Sequence, residues 1–251
     1  MDSPRPLAIL SALAEEQAGL VDHLQQARCI RHAGRDFWLG MLQEQPVVLA
    51  LSRIGKVAAA TTTAALVERF AVRGVVFTGV AGGVGEGVQV GDVVIGSGYV
   101  QHDMDASPLF PRYQVPLTGQ SVMPADARLL QALQSACSTA LQGQRYAGHA
   151  PRIHCGLIAS GDRFVARAEE ARRIVQGLQA HGHTVLAVEM EGAAVAQVAA
   201  DYGLPFVAVR TISDRADDAA HVDFPAFVRD VASHYAQDIV TALLRTAPLA
   251  T

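Results

Sequence analysis

Charge is scarce in this chain, and so are the features of nucleic-acid-binding, membrane and disulfide-rich proteins. Asp, Glu, Lys and Arg make up 18% of its 251 residues, and the formal net charge is -4. No basic run offers the electrostatic footprint that nucleic acids bind. No apolar run is long enough to span a membrane. We therefore expect neither a nucleic-acid partner nor a membrane partner.

Cysteine is also rare. Cys29, Cys137 and Cys155 lie far apart, and their spacing indicates neither a disulfide framework nor a zinc site. The first residues, with Asp2 and two prolines ahead of a brief apolar run, lack the charged region, long apolar region and cleavage pattern of a signal peptide. We therefore expect a cytoplasmic protein.

Hydrophobic residues, by contrast, make up 50% of the chain, which is enough to bury a large core, and no linker divides it. We expect one domain over residues 1–251. Strand-like apolar runs are interleaved with helix-like stretches, a pattern that predicts a three-layer α/β/α sandwich around a mixed, largely parallel central sheet. The predicted strands are Leu7–Ala12, Val47–Leu51, Val75–Thr78, Val93–Ile95, Gly156–Ala159, Val185–Val188 and Val207–Ile212, and the predicted helices are Val57–Phe70, Asp126–Leu141, Gly192–Tyr202 and Phe227–Leu244.

Acidic residues stand directly after two of these apolar segments. Glu189 and Glu191 follow one predicted strand, and Asp214 follows the next. With the helix between them the two strands would form a βαβ unit, and ligands of open parallel sheets bind at the carboxyl ends of strands. The three acids are therefore candidates for chemistry. Each could also be an acid that stabilises a helix N-terminus.

Three shorter motifs suggest cofactor sites, and each fails on spacing. The glycines at 83, 85 and 87 do not follow G-x-G-x-x-G, and a strand follows them instead of a helix. Gly55-Lys56 lacks the upstream glycine and the hydroxyl of a P-loop. The side chains of His102-Asp103-Met104-Asp105 would alternate between two faces, and no second His cluster completes a metal site. We expect no metal and no cofactor, and we favour a loop-ordering role for the last motif.

Glu-Met-Glu at 189–191, followed by a small-residue helix, a strand and Ser213-Asp214, resembles the signature of the nucleoside phosphorylase and nucleosidase superfamily. Four further segments agree in the family's order: Ile9–Glu16, Ser52–Ala60, Thr78–Gly83 with Val90–Asp92, and Ser160–Phe164. Within the superfamily the chain resembles the 5′-methylthioadenosine/S-adenosylhomocysteine nucleosidases. The resemblance implies a hydrolase that cleaves the N-glycosidic bond of an adenine nucleoside and releases adenine and a thioribose.

The resemblance also implies an acid and a base. Asp214 would be the general acid that hydrogen-bonds N7 and the 6-amino group of the purine and delivers the proton. An apolar wall of Val209, Ile212 and Phe164 would raise the pKa of this carboxyl. Glu16 would orient and deprotonate the attacking water. Its position after the first predicted strand places it at the same sheet edge as Asp214.

Further residues would bind the substrate. Glu191 would bind the ribose 2′ and 3′ hydroxyls with its two oxygens, and Met190 would pack on the ribose. Phe164 would stack on adenine, and backbone groups of Phe164 and Val165 would bind its edge. Glu189 and Arg210 would complete the polar floor of the pocket, or form a buried ion pair. The other expected substrate-binding residues are Val80, Ala81, Gly82 and Ser213, with Ile54, Ala106, Leu109 and Phe224 around the 5′ substituent.

Two segments depart from the nucleosidase pattern. Val80 stands where these enzymes usually have Ser, which removes one hydroxyl near the sugar. The loop Ser107–Tyr113 differs from their usual Phe-Gly-Tyr pattern. In the family the loop corresponding to Ala106–Pro116 reaches a partner's active site, which implies a homodimer. The choice between methylthio and homocysteinyl substituents is therefore open.

Alternative functions are also open. A phosphorylase would need cations at its phosphate site, and Glu15-Glu16 would repel phosphate, so hydrolysis is favoured. Adenosine, inosine or futalosine would need the same chemistry, and an aspartate facing the 6-amino group favours adenine. A nucleoside-binding homologue without turnover is the third class, since a fold does not fix a function. The joint presence of Glu16, Glu191 and Asp214 argues against it.

Overall fold

The computed structural model describes residues 4–216 and 224–246. Within these residues the strands are β1 (Leu7–Ser11), β2 (Gln25–His32), β3 (Arg35–Leu42), β4 (Gln45–Leu51), β5 (Gly74–Gly83), β6 (Val93–Gln101), β7 (Val122–Pro124), β8 (Ile153–Ser160), β9 (Val185–Glu189) and β10 (Phe206–Asp214). The helices are α1 (Ala14–Asp22), α2 (Lys56–Phe70), α3 (Ala127–Ala140), α4 (Ala168–Gln179), α5 (Gly192–Asp201), α6 (Phe224–Phe227) and α7 (Ser233–Thr246), with a π-helical segment, Val228–Ala232, between the last two.

The described strands form one mixed sheet in the order β10-β6-β8-β9-β5-β1-β4-β3-β2, and β7 pairs with β6. Because β10 also pairs with β5, the strands β10, β6, β8, β9 and β5 form a closed ring. Strands β4, β1, β5 and β10 are parallel to one another. Strands β6, β8 and β9 are also mutually parallel, but antiparallel to β10 and β5 where they meet them.

Helices cover both faces of this sheet. Leu66 of α2 lies in the apolar core on one face, and Leu133 of α3 lies in the core on the other. Strand β1 serves both cores, because successive side chains of a strand point to opposite faces. Its Leu10 packs into the first core and its Ile9 into the second. The three-layer α/β/α arrangement with a mixed central sheet is thus confirmed.

The predicted βαβ unit is wrong. Strands β9 and β10 are not paired with each other: β10 runs parallel to β5, whereas β9 meets β5 antiparallel at Gly82–Val188 and Gly83–Ala187. Gly82 lies at this meeting of strands and also packs against the end of β10, where a Cβ on Gly82 would lie 2.9 Å from the Cβ of Ala216. The antiparallel overlap nevertheless brings the carboxyl ends of β5, β9 and β10 together.

Most of the predicted elements are present with shifted ends, and several short or exposed elements were not predicted. Strand β2 is mostly exposed and lacks apolar alternation, so periodicity did not reveal the β2–β3 hairpin. Predicted helix Asp126–Leu141 begins one residue later, because Asp126 is the N-cap and its Oδ1 accepts hydrogen bonds from the Arg128 and Leu129 N–H groups. Among residues 4–216 and 224–246 there is no helix with the length and apolar character of a membrane span.

Candidate active site

A cavity opens where the carboxyl ends of β5, β9 and β10 meet the loops after β1, β4 and β8. Its volume, counting space open to solvent, is about 780 Å³. The sequence-predicted residues that line it are Glu16, Ile54, Val80, Ala81, Gly82, Phe164, Val165, Glu189, Met190, Glu191, Arg210, Ser213, Asp214 and Phe224. Residues from seven separate segments are therefore brought to one site.

Glu16 connects the start of α1 to β5. Its Oε2 accepts hydrogen bonds from the N–H groups of Ala12 (2.8 Å) and Leu13 (2.9 Å), and its Oε1 accepts from the N–H of Val80 (3.2 Å). The helix-start role weighed against chemistry is thus present, but the side chain is only 2% exposed and also lines the cavity. Burial raises the pKa of Glu16, against the opposing effects of these N–H groups and of Arg210.

Glu189 and Arg210 form a buried ion pair on the cavity floor. Arg210 Nη2 lies 2.7 Å from Glu189 Oε2, and the guanidinium is 4.0 Å from the centre of the Phe77 ring. Glu189 also accepts hydrogen bonds from the Ser160 hydroxyl and from the Gly192 N–H at the start of α5. Because the Glu189 oxygens already accept these hydrogen bonds, Glu189 can hold the Arg210 guanidinium in place. This arrangement fits the ion-pair interpretation.

Glu191 lies beside this pair. Its Oε1 accepts a hydrogen bond of 2.8 Å from the Gly55 N–H, so the carboxyl joins the start of α5 to the start of α2. Burial, together with the neighbouring negative charge of Glu189, raises the pKa of Glu191 to about 8. Three buried carboxyl groups, those of Glu16, Glu189 and Glu191, surround one guanidinium, so charge balance favours a proton on at least one of them. Burial raises the pKa of both Glu191 and Glu16, so these two carboxyl groups are the candidates to hold it.

Asp214 ends β10 at the cavity wall. Its Oδ2 accepts a hydrogen bond of 2.7 Å from the Ser213 hydroxyl, and its Oδ1 accepts one of 2.7 Å from the Ala216 N–H. Gly82 of β5 lies against it: a Cβ there would be 3.0 Å from Asp214 Oδ1. The backbone of the neighbouring strand can therefore approach this carboxyl closely, which explains why a glycine follows Val80-Ala81.

Apolar side chains form the cavity mouth. Phe164, 49% exposed, packs edge-on against Phe224 with 6.0 Å between the ring centres. Ile54 also lines the cavity and is 58% exposed. Large apolar side chains so exposed at a cavity mouth are suited to contact a ligand or another chain.

The sequence model of the Phosphorylase superfamily matches residues 6–245. The chain belongs to this superfamily. A 5′-methylthioadenosine/S-adenosylhomocysteine nucleosidase of Chromohalobacter salexigens is 38% identical over 96% of this chain and 97% of its own length. A nucleosidase of the same name from Shewanella denitrificans is 36% identical over 95% of this chain and 98% of its own length.

Solved structures agree with the superfamily assignment. The Neisseria meningitidis 5′-methylthioadenosine/S-adenosylhomocysteine nucleosidase in complex with methylthio-immucillin-A superposes with a TM-score of 0.88 at 34% identity, covering 97% of this chain and 100% of that one. A futalosine hydrolase of Helicobacter pylori superposes with a TM-score of 0.83 at 29% identity, covering 95% of this chain and 97% of that one. The superfamily fold therefore spans the chain with two related activities among its neighbours.

Two predicted residues of this superfamily member lie away from the cavity. Ala106 and Leu109 do not line it, and Leu109 is 83% exposed on its loop. The preceding His102–Asp105 motif ties this loop down: Asp103 Oδ1 lies 2.6 Å from Lys56 Nζ, and Asp103 Oδ2 accepts a hydrogen bond from the Asp162 N–H. These contacts are those that a loop-ordering role requires.

The structure adds residues that sequence reasoning missed. Gly79 is the clearest, because a Cβ there would lie 3.1 Å from Glu16 Oε1 and 3.3 Å from Arg210 Nη1. Its signal was available, since Gly79 stands within the Thr78–Gly83 segment shared with the superfamily. Arg163, which lines the cavity mouth, had the same signal within the Ser160–Phe164 segment, whereas Phe77, which underlies Arg210, had none.

Proposed function

We propose that this superfamily member hydrolyses the N-glycosidic bond of an adenine nucleoside such as 5′-methylthioadenosine or S-adenosylhomocysteine, releasing adenine and a thioribose. One observation carries the proposal: two buried carboxyl groups, Glu16 and Asp214, line the same cavity from different segments, each held by its own hydrogen-bond donors. Relatives that bear the nucleosidase name support the choice of substrate.

Asp214 is the proposed general acid. Loss of the base from a nucleoside leaves electrons on the purine, and a proton delivered to N7 makes the base a better leaving group. The Ser213 hydroxyl donates to one oxygen of the carboxyl and the Ala216 N–H donates to the other, and together they fix its orientation. Asp214 can therefore hold a proton or accept from the 6-amino group while it stays in place.

Glu16 is the proposed base for the attacking water. Burial raises its pKa and so makes it a better proton acceptor, while Arg210 and the N–H groups of Leu13, Ala12 and Val80 favour its ionised form. A base works best when its pKa approaches the working pH, and burial moves the pKa of Glu16 upward from its usual acidic range.

The ribose and the base have proposed partners between these two groups. Burial and the neighbouring charge of Glu189 raise the pKa of Glu191 to about 8, so at neutral pH its carboxyl can donate one hydrogen bond to the ribose diol and accept another. Met190 would pack on the ribose, with Val80, Ala81, Gly82 and Ser213 close by. Phe164 would stack on adenine, and the Val165 backbone would bind the base edge.

A phosphorylase is the runner-up, because the superfamily includes that chemistry. Phosphate would need free cations on the cavity floor, yet the Arg210 guanidinium is bound to Glu189 and to the Phe77 carbonyl. Glu16 at the same place would repel a dianion. A nucleosidase for another purine nucleoside stands next, since a futalosine hydrolase shares the fold.

Adenine release from 5′-methylthioadenosine tests the proposal. The purified protein is incubated in phosphate-free buffer and again with phosphate, and base and sugar products are separated by chromatography. We expect adenine and free methylthioribose at equal rates in both buffers. A sugar 1-phosphate formed only with phosphate would establish the phosphorylase instead. No product in either buffer, with binding of the nucleoside retained, would indicate a non-catalytic homologue.

A homodimer is part of the proposal. Leu109 and Leu117, on and beside the loop Ala106–Pro116, are 83% and 91% exposed, and Val57 at the start of α2 is 78% exposed. Burial of these side chains against a second copy would remove apolar surface from water and would bring Ala106 and Leu109 to the partner's cavity. Sedimentation equilibrium should give twice the chain mass, with Leu109→Glu shifting it toward the monomer.

A cytoplasmic location completes the proposal. Cys29, Cys137 and Cys155 are all free thiols in the structure, as is usual for proteins of reducing compartments. Fractionation of the source cells followed by immunodetection tests this, and recovery in a secreted fraction would contradict it.

A further inference from the structure

One buried carboxyl group in the motifs of this chain has no part in the proposed reaction. Asp92 ends the Val90–Asp92 segment, which resembles the superfamily, and its side chain is fully buried. It does not line the cavity. A buried carboxyl costs free energy unless hydrogen bonds or a cation replace the lost water. Its partners therefore indicate which part of the structure it holds.

The Asp92 carboxyl joins a turn to the start of a strand. Its Oδ2 accepts a hydrogen bond of 3.0 Å from the Gln89 N–H and lies 2.9 Å from Nε2 of His154 in β8. Its Oδ1 accepts a hydrogen bond of 2.9 Å from the N–H of Arg152, just before β8. One buried carboxyl therefore fixes the turn Val88–Asp92 on the beginning of β8.

The same turn holds the end of β10 on both sides of the proposed general acid. Ile212, two residues before the acid, donates its N–H to the Asp92 carbonyl at 2.8 Å, and its own carbonyl accepts from the Gly91 N–H at 2.8 Å. Arg215, one residue after the acid, donates from its guanidinium to the Val88 carbonyl. The turn thus contacts the chain immediately before and after this residue.

The sheet pairing of β10 is irregular at this point. The parallel register between β10 and β5 shifts between Ile212 and Asp214. The antiparallel register between β10 and β6 ends at the pair formed by Thr211 and Val93. The position of Asp214 therefore depends on contacts outside the regular ladders, and those with the turn Val88–Asp92 lie on both sides of it.

Aromatic side chains pack around the turn. A Cβ on Gly91 would lie 2.6 Å from Tyr146 Cδ1, and the Tyr146 ring packs edge-on against Phe227 with 5.3 Å between the ring centres. Burial and the negative charge of Asp92 raise the pKa of Tyr235 in α7, which places this side chain near the carboxyl. Because close-packed interiors transmit strain, a change at Asp92 should reach the end of β10.

We propose that Asp92 and His154 are positioning residues for Asp214: through the turn Val88–Asp92 they hold the end of β10 so that the acid reaches the purine. This inference rests on the proposed hydrolysis with Asp214 as general acid. The placement of a reacting group matters steeply, since a misplacement of about 1 Å caused by a distant mutation can cost roughly 10² in rate. Neither positioning residue lines the cavity, so each acts through the turn.

The test uses two variants and a matched control. Asp92→Asn keeps the shape of the side chain and removes its charge, and His154→Ala leaves both backbone hydrogen bonds of Asp92 in place. The control is Asp126→Asn, because the Asp126 carboxyl also accepts from two backbone N–H groups and its own N–H donates to the Phe206 carbonyl at the opposite end of β10. Adenine release from 5′-methylthioadenosine gives kcat and KM, and thermal unfolding shows whether each variant is folded.

We expect Asp92→Asn to lower kcat by about tenfold to a hundredfold and His154→Ala by about threefold to tenfold, each with KM within about twofold of wild type. The control Asp126→Asn should keep kcat within about twofold of wild type. Added to Asp214→Asn, Asp92→Asn should cost less than about threefold, because the group that it positions is then absent. Added to Glu16→Gln, it should cost its full factor, measured in single turnovers.

Equal costs of Asp92→Asn in the Asp214→Asn and Glu16→Gln backgrounds would indicate a general loosening of the site and would overturn the inference. A wild-type kcat in both folded single variants would also overturn it. If Asp92→Asn does not fold, His154→Ala decides the question by the same comparison of backgrounds. Wild-type protein that releases no adenine would refute the proposed function itself, so the wild-type measurement separates the two failures.

Discussion

Replacing Asp214 with Asn removes a proton and changes little else, which makes it the sharpest test of the proposed chemistry. Asparagine has the same shape, and its carbonyl oxygen can accept the hydrogen bond that Oδ1 now accepts from the Ala216 N–H at 2.7 Å. The Ser213 hydroxyl, which donates to Oδ2 at 2.7 Å, can rotate and accept from the new amide. The local structure is therefore expected to survive.

The rate of adenine release should fall strongly. A general acid contributes roughly 10²–10⁴ in rate, which corresponds to about 3–5 kcal/mol of transition-state stabilisation at 1.36 kcal/mol per tenfold. We expect kcat for adenine release to fall by this factor in Asp214→Asn, with KM changed by less than about threefold because the amide keeps most contacts of the carboxyl in the ground state.

Steady-state adenine release from 5′-methylthioadenosine measures the loss of rate, and thermal unfolding of each protein shows whether the fold is retained. Ser213→Ala serves as the control: it removes the hydroxyl that orients Asp214 and leaves the acid, so its loss should be about tenfold, close to one ordinary hydrogen bond. For a substrate analogue whose base is a better leaving group, Asp214→Asn should lower kcat by a smaller factor than for 5′-methylthioadenosine. The reasoning is refuted if the folded variant turns over at a rate within tenfold of the wild type, or if leaving-group quality makes no difference.

Three further predictions concern the carboxyl groups around Arg210. Glu16→Gln should lower kcat by roughly 10²–10⁴ through loss of the base; adenine release by the folded variant within threefold of wild type would contradict the role. In the folded protein the pKa of Glu191 is about 8, whereas the pKa of an unfolded Glu is about 4.3. Between these pH values the folded state binds more protons than the unfolded state. The free energy of unfolding of the wild type should therefore fall as pH rises through this window. Glu191→Gln should therefore be more stable than wild type by about 2–4 kcal/mol near pH 9 and nearly equal to it near pH 4, as urea denaturation at both pH values would show; an equal difference at both would exclude the shifted pKa. Arg210→Met should lower the free energy of unfolding by about 3–5 kcal/mol, because it leaves Glu189 buried without its cation. The double variant with Arg210→Met and Glu189→Gln should recover part of that loss. A double variant less stable than the sum of the two single effects would argue against the ion pair.

The superfamily, the layered architecture and the acids of the site were all accessible from the sequence. Fully buried strands such as β1 show continuous apolar runs, because both of their faces pack against helices. Glycine-rich and acidic segments at strand ends stand out because folding alone does not favour them there. For this reason Glu189, Glu191 and Asp214 were predicted from the sequence, whereas Glu16 was predicted from its place in the Ile9–Glu16 segment that resembles the family.

Pairings between distant segments were decided only in the tertiary structure. The closed ring of strands, and the antiparallel meeting of β9 with β5 in place of a βαβ unit, depend on contacts between segments far apart in the chain. The two hydrogen bonds that assemble the site, Val80 N–H to Glu16 and Gly55 N–H to Glu191, span 64 and 136 residues. Secondary-structure propensities of neighbouring residues do not predict such contacts.

The protonation states of the site residues also depend on these contacts between distant segments. The sequence shows that Glu16, Glu189, Glu191 and Arg210 exist, but burial decides which of them binds Arg210 and which holds a proton. Desolvation and the distance between charges set a pKa, and both are properties of the folded chain. The sequence thus determined which chemical groups the site has, and the tertiary structure decided how they share charge, because only folding removes them from water and places them side by side.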